Sequence, residues 1–243
     1  RPKRWLFEAT PDIKTQLYRL DKAAPNGQSP GLSGVFVTHA HIGHYAGLMF
    51  LGHEAAGANN TPVYVMPRMA NYLADNGPWS QLVTYFNIVL AVMTANESEI
   101  IAPELAVTPF LVPHRQEFSE VVGFQISGPS QSALFIPDID SWEELDETGV
   151  RIEQLIAEVD MAFLDATFFA NGEIPGRDMS GFPHPFVSHS MERFQTLAEN
   201  EKSKIRFIHL NHTNPLLNPD ANERKQVFNA GFNIAEEGEA HCL

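Results

Sequence analysis

Thr38-His39-Ala40-His41-Ile42-Gly43-His44 is the stretch on which the reading of this chain turns. It follows the apolar run Val35-Phe36-Val37 and precedes Tyr45-Ala46-Gly47-Leu48, so it occupies a strand-to-helix turn. Side chains two apart on an extended segment point to the same side, which pairs His39 with His41. His44 falls at the start of the next helix and can turn in from another direction. Neutral imidazoles at this spacing suit a zinc-like cation. The blander alternative is a solvent-exposed histidine-rich turn.

Working outward, the same donor types recur just beyond other apolar runs. Val112-Pro113-His114-Arg115 carries one histidine and Phe135-Ile136-Pro137-Asp138-Ile139-Asp140 carries two carboxylates. Phe207-Ile208-His209-Leu210-Asn211-His212 carries two more histidines. Donors at the ends of separate strands are what a sheet presents when its loops converge on one site. Asp165, after Phe163-Leu164, reads either as a cap or as a carboxylate that fixes an imidazole.

Short apolar runs alternate with helical patterns along the whole chain, with no low-complexity linker and no repeat of 20–50 residues. Strands are expected at Trp5–Glu8, Gly34–Thr38, Val63–Met66, Ala106–Val112, Val121–Ser127, Ala133–Ile136, Met161–Leu164 and Ile205–Leu210. Helices are expected at Asp12–Leu20, His44–Ala56, Pro67–Asn76, Trp142–Asp146, Arg151–Val159, Ser190–Glu199 and Ala221–Ala230. Ile88–Val92 reads equally as strand or as buried helix. The pattern implies one α/β domain over residues 1–243.

The histidine turn resembles the His-x-His-x-Asp-His signature of the metallo-β-lactamase superfamily. His114, Asp138 and His209 follow in the order of that family's later ligands. Glu8-Ala9-Thr10-Pro11-Asp12-Ile13, Pro113-His114-Arg115-Gln116-Glu117, Phe163-Leu164-Asp165-Ala166-Thr167-Phe168-Phe169 and Ile208-His209-Leu210-Asn211-His212-Thr213-Asn214-Pro215 resemble the branch containing coenzyme PQQ synthesis protein B. The resemblance implies an αβ/βα sandwich of two packed mixed β-sheets flanked by helices. It implies that His39, His41 and His114 hold one metal, and that His44 and His209 hold a second with Asp138 bridging. The departure is Gly43, where hydrolytic members carry an aspartate. A complete first site and a weaker second one are therefore expected, holding one or two Zn2+ ions, with Mn2+ or Fe2+ as alternatives. Gly43 could let the turn bend or leave room for substrate, and Asp140 is the nearest carboxylate that could compensate.

The activity implied is metal-dependent hydrolysis, with a metal-bound hydroxide attacking an ester, lactone or phosphodiester. His212 would protonate the leaving group or orient substrate, and it rivals His209 as the last ligand, while Asp138 would act at the metals. His209 is preferred because it follows directly on Phe207-Ile208. An iron-dependent oxidative enzyme and a non-catalytic metal-binding protein are the competing readings. His184, in the Pro-rich loop after Asp165, could reach substrate, while His53, His189 and His241 read as bland. Phe168, Phe169 and Phe182 could wall an apolar cleft.

The 243 residues hold 16 Lys and Arg against 30 Asp and Glu, a net charge of −14, which argues against nucleic acid as partner. The partner expected is a small-molecule substrate; the oligomeric state is left open. The single cysteine, Cys242, excludes an intramolecular disulfide. No apolar run is long enough to span a membrane. The start at Arg1-Pro2-Lys3-Arg4, without a methionine, suggests a processed chain or a missing first element, and favours an exported or periplasmic location over a cytoplasmic one.

Overall fold

The computed structural model describes residues 2–28 and 30–243. It divides into two compact units, residues 1–97 with 116–122 and residues 98–115 with 123–243.

The first unit is built on four strands, β1 (Trp5–Phe7), β2 (Gly34–Phe36), β3 (Thr61–Val65) and β4 (Ile88–Val92), in spatial order β1-β2-β3-β4. All neighbours are parallel. Parallel neighbours need crossover connections, and these are supplied by α1 (Ile13–Ala23), α2 (Ile42–Tyr45), α3 (Pro67–Asp75) and α4 (Trp79–Thr84). Side chains alternate between the two faces. Leu6, Val35 and Val63 join the core with Ile13, Leu48, Leu51, Met69 and Leu73. On the register of Phe7, Phe36 and Tyr64, the rings stack with centroids 4.9 and 4.3 Å apart. The ambiguous segment Ile88–Val92 is thus a strand: pairing along β3 decides what periodicity alone could not.

The helix expected over His44–Ala56 is instead four residues of α2 followed by a 3-10 turn, Ala46–Leu51. Packing explains the shortening. A Cβ on Gly47 would stand 2.1 Å from the Thr10 carbonyl oxygen and 2.8 Å from that of Ala9, so the chain lies flat on its neighbour.

The second unit carries a seven-stranded sheet in the order β11-β10-β9-β8-β7-β6-β5. Its strands are β5 (Glu99–Ala102), β6 (Leu105–Leu111), β7 (Val122–Ser127), β8 (Ser132–Ile136), β9 (Met161–Asp165), β10 (Ile205–Ile208) and β11 (Asn233–Ile234). This sheet is mixed: β5 with β6 and β7 with β8 are antiparallel, and β8, β9, β10 and β11 run parallel. The helices are α5 (Trp142–Glu147), α6 (Ile152–Ala157), α7 (Val187–Phe194), α8 (Glu199–Lys202) and α9 (Asn222–Asn229). Ser141 caps α5 by accepting from Glu144 N. Arg193 of α7 holds α6 through Glu153 (2.6 Å) and α5 through Asp146 (2.9 Å).

Register is what positions the chemistry. Ile136 pairs with Leu164, and Asp165 with Ile208. The parallel strands β8, β9 and β10 therefore end together, with Asp138, Asp165 and His209 at or just past their last residues. Among the described residues, no helix is long and apolar enough to cross a membrane.

Candidate metal centre

In the first unit, the turn after β2 gathers the three histidines as their spacing implies. His39 Nε2 lies 2.8 Å from His41 Nδ1, and the His39 and His44 rings are 4.2 Å apart. Each imidazole has an oxygen on its other nitrogen. Thr38 Oγ1 is 2.8 Å from His39 Nδ1, Glu117 Oε2 is 3.1 Å from His41 Nε2, and Glu8 Oε2 is 2.9 Å from His44 Nδ1. Glu8 is buried, takes a left-handed φ of 75°, and accepts the Thr38 amide on its second oxygen at 2.9 Å. An acid held in that backbone conformation is strained, and such strain gathers at functional sites.

This donor set fits a divalent cation. His39 Nε2 and His41 Nδ1, 2.8 Å apart, are imidazole nitrogens on one side of the turn. The oxygen behind each ring can hold the other nitrogen protonated while these serve as lone-pair donors to a cation.

Gly43 is exposed, has no atom within 4 Å of a Cβ position, and is absent from the left-handed glycines. Neither the backbone nor the packing requires glycine there. The expectation that it lets the turn bend is not met; a Cβ at this position meets open space.

In the second unit, His114 follows β6, and its ring is fully buried. Its Nδ1 meets Asp140 Oδ1 at 2.7 Å, and its Nε2 lies 3.9 Å from Asp138 Oδ2. Asp140, considered above as a substitute for the missing aspartate, is thus engaged on the back of the His114 ring. Asp138 is buried, 3.7 Å from His209 Nδ1 and 3.2 Å from His184 Nδ1. His209 adopts φ 63° directly after β10, and its Nδ1 is 2.8 Å from Thr167 Oγ1. Asp165 is completely buried and accepts from Ile139 N (3.1 Å), Thr167 N (2.9 Å) and Thr167 Oγ1 (2.7 Å). It also lies 2.9 Å from His184 Nδ1. Asp138, Asp165 and His184 form a donor group within this unit. Burial opposes a charge on His184, but hydrogen bonds to Asp138 and Asp165, with their negative charge, push its pKa up to about 9.

His212 is exposed and joins no donor group among the described residues. His53 and His189 are exposed as well, and His241 is exposed with Glu239 2.9 Å away. Phe168 and Phe182 pack with Met179 and Phe186 beside His184.

The residues that sequence reasoning left without a role are Glu8, Glu117, Thr38 and Thr167. Glu8 carried a usable signal: it follows Trp5-Leu6-Phe7 as His39 follows its own apolar strand. The other three hold imidazoles through contacts that no spacing reveals.

Fold and donors together define a metal-binding α/β protein with the chemistry of a divalent-metal site. The chain belongs to the beta-lactamase superfamily: the model of the beta-lactamase superfamily domain matches residues 3–210. It is similar to Coenzyme PQQ synthesis protein B of Gluconobacter oxydans, 25% identical over 262 residues covering 97% of this chain and 82% of that protein. The Methylorubrum extorquens protein of that name is 24% identical over 258 residues, with the same coverage. Among solved structures, zinc-bound PqqB from Methylobacterium extorquens superposes with a TM-score of 0.79 at 23% identity, covering 99% of this chain and 84% of that one. A diphosphatase of the PhnP family superposes with a TM-score of 0.61 at 18% identity, covering 96% and 78%.

Proposed function

We propose that this protein is a metal-dependent hydrolase acting on a small ester, lactone or phosphodiester-type substrate. Its donors would be those that the family's ligand order implies, His39, His41, His44, His114, Asp138 and His209, with one divalent cation held tightly and a second more weakly because Gly43 supplies no carboxylate. The observation that carries the reading is the gathering of three imidazoles, His39, His41 and His44, in one turn, each with an oxygen on the far side of its ring. Bound there, a divalent cation supplies an activated water and a Lewis acid at neutral pH.

The chain's own groups supply the rest. Glu8, Glu117, Asp140 and Thr167 fix the histidine rings. For protonating a leaving group, His184 has more support than His212. Its Nδ1 is tied to Asp165 and Asp138, and a buried carboxylate beside the ring favours its protonated form. Phe182, on the same loop, would set the apolar side of the substrate pocket. Protein loaded with zinc or manganese should turn over bis-aryl phosphodiesters or aryl esters, and His184→Ala should lower kcat more than KM.

The similarity to Coenzyme PQQ synthesis protein B favours a second reading, an iron-dependent oxidative enzyme. An imidazole-rich donor set accommodates iron as well as zinc. Iron as the retained metal, with oxygen-dependent turnover and no hydrolysis, would select it over the hydrolase.

A further inference from the structure

Residues 116–122 belong to the first unit, although the chain on either side of them belongs to the second. They are fastened across the histidine turn at several points. Val122 N donates to the Thr38 carbonyl (3.2 Å), and Ala40 N donates to Ser119 Oγ (2.9 Å), which is almost completely buried. The Ser119 hydroxyl donates to the Glu120 carbonyl at 2.7 Å. On α3, Arg68 N donates to the Glu120 carboxylate at 2.9 Å, and Arg68 Nη2 to the Gln116 carbonyl at 2.8 Å. These anchors bracket Glu117 and set its carboxylate 3.1 Å from His41 Nε2.

We propose that Glu117 is a positioning residue for the metal centre, holding His41 in the tautomer that carries its proton on Nε2. An ionised carboxylate offers only lone pairs, so the nitrogen facing it is stabilised when protonated. Neutral imidazole carries one such proton, and Nδ1, beside His39 Nε2, is thereby left as a donor. A carboxylate behind a ligating imidazole also raises the basicity of the donating nitrogen. The inference rests on the metal-site reading above.

Glu117 is half exposed and contributes no core packing, so its replacement leaves the fold intact. In metal-free protein labelled with 15N-histidine, long-range 15N–1H correlation should show His41 protonated on Nε2. Glu117→Ala should give a mixture of tautomers, and Glu117→Gln, whose carbonyl still accepts, should retain the wild-type form. Chelator competition should show zinc binding ~10–100-fold weaker in Glu117→Ala, with most of the loss recovered in Glu117→Gln. An unchanged tautomer in Glu117→Ala overturns the proposal whatever the zinc affinity. Wild-type protein that binds no zinc overturns the metal reading, while the tautomer still decides the role of Glu117.

Discussion

The two units present their donors in opposite ways. The first compresses three imidazoles into one turn, His39 to His44, so that local chain geometry alone brings the rings within 4.2–4.5 Å. The second draws His114, Asp138, Asp165, His184 and His209 from separate strand ends and a loop, and only the register of β8, β9 and β10 gathers them. The turn is a local device and the strand ends a topological one. Yet the rings of both units are oriented by groups distant in sequence: Glu8 and Glu117 in the first, Asp140 and Thr167 in the second. A compact motif supplies donors; the fold supplies oxygens behind their rings.

The comparison can be broken most severely at the local device. His39→Ala combined with His41→Ala should abolish metal binding with little loss of secondary structure, read by elemental analysis and circular dichroism. Retention of a full metal complement would show that the strand-end donors suffice.

The topological device should fail through stability instead. Asp165 accepts three protein hydrogen bonds in a fully buried position besides its contact with His184. Asp165→Ala would strand those donors, at a cost of about 3 kcal/mol in denaturant unfolding. A loss below about 1 kcal/mol would mean that the gathered strand ends do not depend on it.

A gentler probe is pH. The His184 pKa is raised from 6.5 to about 9, so its contribution to the stability of the metal-free protein is fully present below about 6.5. It is lost as pH rises through about 9. Wild-type stability should fall over that window relative to His184→Gln; parallel curves would refute the assignment. The smallest effect on stability is expected from Gly43→Asp, within about 0.5 kcal/mol, because the site is exposed and open. That variant should nevertheless strengthen binding of a second metal in a zinc titration.

Much of this was legible from residues alone. The α/β class followed from the alternation of short apolar runs with helical periods. The recurrence of histidines and carboxylates beyond those runs marked where donors gather, while their assignment to metals came from the family resemblance. Ile88–Val92 could not be assigned, because a short apolar segment is a strand only by virtue of its neighbour, here β3. Apolar periodicity extends a helix over His44–Ala56 because it cannot register Gly47 pressed against the carbonyls of Thr10 and Ala9. His184 carries little signal in the sequence, because its contacts with Asp138 and Asp165 come from sheet order. The tiny strand β11 and the short edge strand β5 carry too few residues for any periodicity.

The most direct test of the metal centre is elemental analysis of the purified protein after loading with zinc and removal of excess. One tightly held equivalent per chain is expected, with a second only at higher zinc concentration, because Gly43 withholds a charged ligand. No retained metal would contradict the centre itself, and two tightly held equivalents would contradict the role given to Gly43.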